Sequence, residues 1–509
     1  MTTRRKFVVT VLILLATLAL LVIVLVPRLA DVDRYRPWVV ARLEQATRRK
    51  VEIGRLRLTI LPSLAVRADE VTVGNPPGFP AAPFLEIQRV YAQLDPGALL
   101  HREILIRSLK LESPTLHLAS DAQGRWNTSN PQAPRAELRP AAWQTATATS
   151  MLITDVELED GRVTVTAGAG GSQPGPPPFL EADGIAAQLE DVNAEALGVH
   201  LMGADAGWGA TEAGSPGDSK RPGIVETAWI QSAPTASGIE GAAPPGAVRP
   251  QGALAAHGTL SAKSARFGAI QTANLRSRLE LYSGGALLDG LALQLFGGQM
   301  TGNFAWESGL QPPRYTTHLS FAAIDVARVL QAFPSARGKL TGTLDGYIDL
   351  TGWSSPDGAG VPSRNPLDNK EGKGQVTVRQ GTLPGIRLNP DLMALIRNII
   401  RTGPIDPSAF RSMSADLEIA QGEIRSRQVS IAGNGIDLQA SGALALGGEG
   451  RLDYQGVARI SARQNAVGNL LAGLLGSKMA SGGQISFPFV LSGTLTAPHF
   501  EVPRSVLFH

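Results

Sequence analysis

The chain has 509 residues, with 47 Lys and Arg against 44 Asp and Glu, which leaves a formal net charge of +3. So small a surplus lacks the concentrated basic field of a dedicated nucleic-acid-binding protein. Cysteine is absent, which excludes disulfides, cysteine-ligated metals and cysteine nucleophiles. The 56 Gly and 35 Pro residues are about 18% of the chain, against roughly 12% on average, and favour many turns and short strands over an all-helical fold.

The first predicted element is a membrane-spanning helix over residues 7–26, which follows a cytoplasmic tail of residues 1–6. The run carries no charge, and at about 1.5 Å per residue it matches the roughly 30 Å of bilayer hydrocarbon. A cleaved signal peptide is the alternative, but its apolar region is shorter and a small-residue cleavage site follows it. The run therefore predicts an uncleaved single-pass anchor with a cytoplasmic N terminus. The residues that mark its length are Phe7, Leu14, Leu20 and Val26.

A basic helix is predicted directly after the anchor, from Asp33 to about Arg49. Its apolar side consists of Trp38, Val39, Leu43 and Ala46. Its arginines have two interpretations, which are contact with anionic lipid headgroups or a solvated face on a helix that packs against the first strands. The candidate headgroup contacts are Arg34, Arg36, Arg42, Arg48 and Arg49. Asp31 and Asp33 are a candidate pair for a cation, but acids at a helix start more commonly satisfy free N–H groups.

Alternation of polar and apolar residues dominates the rest of the chain and predicts a mainly β protein built on a long, curved antiparallel sheet. One face of such a sheet is apolar and the other is polar. Turn residues such as Asp160-Gly161 and Gly447-Gly448 separate the alternating runs. The candidate lining of the apolar face is Leu56, Leu58, Val163, Val165, Val376, Val378, Ile436, Leu438, Leu444 and Leu446.

Three short helices interrupt the β pattern: one capped by Asp325, one opened by Asn389 and one over Val467–Leu475. Two stretches have the Ala-, Gly- and Pro-rich composition of linkers, which bury too little apolar area to offset the entropy of ordering. The predicted order is an N-terminal β domain over 27–130, a linker over 131–149, a middle β segment over 150–202, a linker over 203–250 and a C-terminal β domain over 251–509.

No motif for catalysis, metal binding or nucleotide binding occurs in the sequence. Its seven histidines are scattered, and HExxH, GxxxxGK[ST] and GxSxG are absent. The sequence therefore predicts a non-enzymatic protein without a cofactor or a metal. An apolar sheet face still needs a cover, which is either a packed core or an acyl chain in a groove. Composition alone favours the packed core.

Several motifs are similar to those of one family. They include Val32-Asp33-Arg34-Tyr35-Arg36, Val71-Thr72-Val73-Gly74-Asn75-Pro76-Pro77-Gly78, Asp121-Ala122-Gln123-Gly124-Arg125-Trp126-Asn127, Ala323-Ile324-Asp325-Val326 and Leu491-Ser492-Gly493-Thr494-Leu495-Thr496-Ala497-Pro498. On these motifs the sequence resembles the AsmA family of envelope proteins.

The resemblance implies an anchor in the bacterial inner membrane and a β-rich body in the periplasm. It implies a role in outer-membrane biogenesis, including assembly of outer-membrane proteins and, by kinship with bridge-like lipid carriers, movement of phospholipid. It shifts the preference from the packed core to the open groove. Two rivals stay open, an envelope-assembly scaffold with a filled core and an anchored hydrolase. The expected partners are the inner membrane, phospholipid and envelope assembly proteins, and not nucleic acid.

Overall fold

The structure is a computed structural model. It describes residues 32–59, 63–79, 82–100, 105–121, 126–128, 152–166, 178–193, 248–308, 310, 312–332, 337–353, 367–383, 408–433, 436–446, 450–461, 480–481, 484–495 and 497–501. The predicted anchor at 7–26, the predicted linker at 131–149, the predicted linker at 203–250 except its last three residues, and the predicted helices at Asn389 and Val467–Leu475 lie outside these ranges. None of the helices in the described ranges has the length and apolarity needed to cross a bilayer.

The described helical segments are short and lie where the sequence changes period. They are a 3-10 turn at Val32–Tyr35, α1 at Arg36–Thr47, α2 at Pro96–Leu100 and α3 at Val326–Gln331. Asp325 caps α3 as predicted, because its carboxylate accepts hydrogen bonds from Ala327 N at 2.9 Å and Arg328 N at 3.4 Å. Asp33 does not cap α1. It accepts instead from Leu56 N of the first strand, at 3.0 Å.

The described strands form one 20-stranded sheet. Their bounds are β1 Val51–Thr59, β2 Ala65–Val73, β3 Leu85–Leu94, β4 Ile106–Ala119, β5 Leu152–Thr166, β6 Leu180–Asn193, β7 Leu254–Phe267, β8 Ile270–Tyr282, β9 Gly285–Leu295, β10 Gly298–Glu307, β11 Arg314–Asp325, β12 Thr343–Trp353, β13 Lys370–Thr382, β14 Ala409–Ala420, β15 Glu423–Gly433, β16 Ile436–Ala445, β17 Arg451–Ser461, β18 Ala480–Ser481, β19 Gln484–Thr494 and β20 Pro498–Glu501. The prediction of a mainly β fold is confirmed.

Strands pair in chain order from β1 to β17, and β17 then pairs with β19. The short strands β18 and β20 pair with different ends of β19. One pair departs from the predicted antiparallel sheet, because β4 and β5 run parallel. The reason is the connection between them. Residues 120–151 connect the two strands, and they are numerous enough for the crossover that a parallel pair requires.

Bulges inside the strands keep the apolar residues on one face. Asp160 of β5 and Gly184 of β6 both have positive φ, at 52° and 61°, and the register of this pair shifts at the same place. An irregularity of this kind moves the alternation by one residue, so the apolar positions on either side of it share a face. The Asp160-Gly161 pair, predicted as a turn, is therefore part of a bulge within a continuous strand.

Glycines on the apolar face allow neighbouring backbones to approach closely. A Cβ atom on Gly258 would lie 1.8 Å from Gln188 O, and one on Gly302 would lie 1.9 Å from His318 O. No other residue fits these positions without moving a strand, and glycines of this kind mark bends in a sheet. They match the curvature of the long sheet.

Buried side chains in the described residues form four small clusters along the sheet. The clusters are Val51, Ile53, Leu56 and Ala68; Ile153, Val192 and Ala256; Val326, Val378 and Phe410; and Ala458, Phe487 and Phe489. Packing therefore stabilises the apolar face at intervals along its length.

Candidate functional site

The most extensive candidate site is a row of cross-strand neighbours on the apolar face. It takes one residue from every strand of the sheet except β18, and we call it the apolar row. In chain order its members are Leu58, Val66, Ala92, Leu109, Val156, Leu189, Gly258, Leu279, Leu288, Phe304, Thr317, Leu350, Gly372, Ile419, Ile424, Leu444, Leu452, Gly493 and Pro498. None is charged, and Thr317 alone has a polar side chain. At about 4.8 Å per strand the row is roughly 85 Å long.

Most residues of the apolar row are neither fully buried nor fully exposed to solvent. Its members are half-buried, apart from Ile419, which is buried, and Gly493, which is exposed. Apolar surface left in contact with water costs free energy, at about 25 cal/mol for each Å². Contiguous accessible apolar surface on a protein commonly marks a binding site. The apolar row therefore has the chemistry of a surface that binds an apolar ligand.

The opposite face of the same strands is polar. Its neighbouring row across β1 to β9 is Arg57, Arg67, Tyr91, Lys110, Glu157, Gln188, Thr259, Arg278 and Asp289. Ion pairs form along it, such as Lys110 with Glu159 at 2.6 Å and Arg278 with Asp289 at 2.8 Å. Exposed pairs of this kind add little stability, but their charges keep this face in water. The two faces therefore differ sharply in polarity.

The predicted lining residues fall into two groups. Leu56 and Val378 are buried, at 7% and 2% exposure, in clusters to which a helix also contributes. The others are half-buried, and Leu58 and Leu444 belong to the apolar row itself. This second group consists of Leu58, Val163, Val165, Val376, Ile436, Leu438, Leu444 and Leu446. Only the second group leaves room for a ligand, and its role as a lining stays a prediction.

An open cavity of about 1180 Å³ lies at one end of the strands β6 to β10, beside α3. Apolar-face residues such as Ala265 and Leu295 line part of it. Its rim carries charges, including the pair Arg266–Glu181 at 2.6 Å. The cavity thus brings apolar and charged surroundings together, as an amphipathic ligand requires.

Helix α1 covers the β1 end of the apolar face. Val39, Val40 and Leu43 pack against the cluster that contains Val51 and Ile53. Trp38 was predicted on this packed side, but it is 59% exposed. Successive residues of a helix are rotated by about 100°. Because Val39, Val40 and Leu43 face the sheet, this rotation places Trp38 on the side of α1 that faces away from it.

Two of the candidate headgroup arginines are turned into the protein. Arg36 donates a hydrogen bond to Gly54 O of β1 at 2.6 Å. Arg49 lies over the Phe84 ring, 4.1 Å from its centroid, and donates to Asn127 O. Burial lowers the pKa of the Arg49 guanidinium from its ordinary value. These contacts fix the helix on the sheet, so headgroup contact is expected from the others.

Those other arginines lie nearer to solvent. Arg34 and Arg48 are exposed, and Arg42 is half-buried. Their contact with headgroups stays a prediction.

Replacing Arg36 with Met is expected to loosen α1 by about 1–2 kcal/mol, because a charge-assisted bond to a strand carbonyl is lost. The matched control is Arg34→Met, which removes an exposed guanidinium whose described contacts are with Tyr35 alone. Hydrogen exchange of the α1 amides measures both. Equal exchange in the two variants would contradict the docking role of Arg36.

Asn127 is a site residue that the sequence analysis did not assign. It is fully buried, at 0% exposure. Its side-chain oxygen accepts from Ala119 N at 3.0 Å, and its amide donates to Asn75 Oδ1 and His117 O, both at 2.8 Å. Two motifs that carry the family resemblance thus meet in one hydrogen-bond network. In the sequence, the feature that could have indicated this network is the polar residue Asn127 at the end of the motif Asp121–Asn127.

In the described ranges, no group of three or more His, Asp and Glu residues has the geometry to hold a metal ion. His318 and Asp349 form a hydrogen-bonded pair through Nδ1, but their cross-strand neighbours are Asn303 and Lys373, which supply no nucleophilic hydroxyl. The absence of an enzymatic function stays a prediction.

Comparison with known proteins gives one family. The sequence model described as "AsmA family" matches residues 1–173 and 254–429. Among curated proteins, the "AsmA family protein YhjG" of Escherichia coli (strain K12) is 30% identical over 104 residues, which are 20% of this chain. That stretch is 14% of the relative, so most of the relative has no counterpart in the match. No solved structure matches the chain.

Proposed function

Since the chain belongs to the AsmA family, whose model matches more than half of it, we propose that it is anchored in the bacterial inner membrane and guides phospholipid along its apolar row in the periplasm. Family membership suggests a role in envelope and outer-membrane biogenesis. The finer assignment to phospholipid rests on one observation, the unbroken run of uncharged cross-strand neighbours from Leu58 to Pro498.

An acyl chain gains about 0.8 kcal/mol for each methylene removed from water. On a row without charges it moves from one apolar side chain to the next and keeps this gain, so no step along the path has a large barrier. A phospholipid headgroup can stay in water because a curved open sheet leaves one side accessible. The half-burial of row members such as Leu279 and Leu288, which belong to none of the four clusters, supports this arrangement.

The middle of the sheet is the best place to detect the lipid. The main helix contacts in the described residues are those of α1 with β1 and α3 with β11. The stretch between them includes the row members Leu279, Leu288 and Phe304, which pack against none of the four buried clusters. We therefore expect ligand contact to be strongest there.

The test is photocrosslinking in cells, with a photoreactive amino acid at Leu279 or at its chain neighbour Arg278. The two positions lie on opposite faces of β8, and Arg278 is exposed on the polar face. We expect a phospholipid adduct at position 279 and little at 278, measured by mass spectrometry of the purified protein. Equal labelling, or no lipid either at position 279 or at its cross-strand neighbour Leu288, would contradict the proposal.

The rival function is an assembly scaffold for outer-membrane proteins that holds no lipid. The observation that favours it is the third cluster, where Val326 and Leu330 of α3 pack on Val378 and Phe410 and cover part of the apolar face. On this alternative the crosslinks at position 279 would be to protein and not to lipid.

A further inference from the structure

Helix α1 has an outer face that its packing on the sheet does not explain. Tyr35 and Trp38 are 52% and 59% exposed, and Trp38 has the largest exposed fraction among the large hydrophobic side chains of the described residues. They lie three residues apart, where side chains of adjacent helical turns are neighbours. Burial of the opposite side, through Val39 and Leu43, fixes this aromatic pair away from the sheet.

The charges around the aromatic pair are mostly positive. Arg34 donates to Tyr35 Oη at 3.0 Å and lies 5.0 Å from the centroid of its ring, and Arg48 is exposed at the other end of the helix. Both acids of this segment are turned towards the sheet, because Asp33 accepts from Leu56 N at 3.0 Å and Glu44 accepts from Val51 N at 3.1 Å. The outer face therefore combines two exposed aromatic rings with the guanidinium of Arg34.

The sequence limits how far this face can lie from a membrane. The predicted anchor ends at Val26, and α1 is preceded by the turn that begins at Val32. The intervening residues 27–31 extend by at most about 3.5 Å each, so Val32 lies within roughly 20 Å of the bilayer edge. Tyr and Trp are enriched at membrane interfaces, and Arg is attracted to anionic headgroups.

We propose that the outer face of α1, with Tyr35 and Trp38 at the headgroup level and Arg34 beside them, binds the surface of an anionic bilayer. Because the inner face of α1 packs on β1, this contact holds the β1 end of the apolar row at the membrane. The proposal rests on the anchor within the proposed function, but it does not depend on lipid movement along the row.

The absence of cysteine allows one environment-sensitive fluorophore to be placed at a chosen residue of the full chain. Trp38→Cys carries the label on the proposed contact, and Tyr347→Cys is the matched control, because Tyr347 is an exposed aromatic residue of β12. The proteins are placed in nanodiscs of phosphatidylethanolamine and phosphatidylglycerol. We expect a blue-shifted emission at position 38 and quenching by lipids that carry a spin label on the headgroup, with neither effect at position 347.

Two further experiments test whether anionic headgroups cause the fluorescence change at position 38. Nanodiscs of phosphatidylcholine alone, or the change Arg34→Gln, should lower the ratio of bound to free α1 by at least about fivefold, since the loss of one basic residue near an anionic surface is worth about that factor. A blue-shifted label at position 38 that the spin-labelled lipids do not quench would indicate a protein contact and overturn the proposal.

A label as exposed at position 38 as at position 347 would also overturn it. So would failure of the chain to enter nanodiscs, because no anchor would then hold α1 near the bilayer. Membrane contact at position 38 without a lipid adduct at position 279 would remove the proposed lipid path and leave this inference intact.

Discussion

Leu444→Asp is expected to stop lipid movement past β16 in a protein that remains folded. Leu444 is a member of the apolar row, with Ile424 and Leu452 as cross-strand neighbours. It is half-buried and belongs to none of the four clusters. A carboxylate placed against an acyl chain costs several kcal/mol unless it is paired, which corresponds to a loss of more than 100-fold in occupancy at that step.

The matched control is Ala443→Asp, one residue away on the opposite face. Ala443 lies between Arg425 and Asp453 in the register, so the new charge stays on the polar side of the sheet. Thermal melting and lipid crosslinking on the full-length protein, together with rescue of a deletion strain, measure both variants. We expect loss of rescue for Leu444→Asp alone, with melting close to that of the unchanged protein.

A second variant, Val378→Asp, shows how the protein responds to a charge placed in a packed core. Val378 is 2% exposed in the cluster that α3 covers, so Val378→Asp should unfold that region, because an unpaired buried charge costs more than most domains can lose. Ile436 is an intermediate case, since it packs against the cluster of Ala458 and Phe489. If Leu444→Asp melts like Val378→Asp and the unchanged protein yields no lipid adduct, the scaffold function is the better account.

Local patterns in the sequence predict the strands and the helix cap but not the continuity of the apolar face. Alternation in runs such as Gly435–Gln439 depends only on period two, and the Asp325 cap depends on residues next to it in the chain. The bulge at Asp160 depends on its partner strand, where Gly184 makes the matching irregularity. An Asp-Gly pair usually indicates a turn, and only the pairing between strands shows that this one is a bulge.

Other features depend on contacts between residues far apart in the sequence. The parallel pairing of β4 and β5 cannot be predicted from alternation, because alternation does not specify the direction of the neighbouring strand. The exposure of Trp38 follows from which side of α1 faces β1, and an apolar residue alone does not specify that side. Asn127 and Asn75 are 52 residues apart, so no local spacing rule connects them.

Asn127→Ala is expected to cost about 3 kcal/mol around the end of β4. The change leaves Ala119 N, Asn75 Oδ1 and His117 O without the partners that the side chain supplies. Ala119 is itself buried at 5% exposure, and each buried polar group left unpaired costs about 1–3 kcal/mol. Since every 1.4 kcal/mol is a factor of ten, hydrogen exchange of amides in β4 should accelerate by roughly 100-fold.

The control is Asn75→Ala, which removes one of these bonds together with the exposed bond from Asn75 Nδ2 to Ala82 O at 2.8 Å, and which should cost only about 1–2 kcal/mol. Amides of β16 serve as an internal reference, because β16 pairs with β15 and β17 far along the sheet. Opening in a long sheet is local when a strand depends mainly on its neighbours. Uniform acceleration across β4 and β16 would therefore contradict the assignment, since it would mean that Asn127 supports the whole sheet and not the junction of the two motifs beside α1.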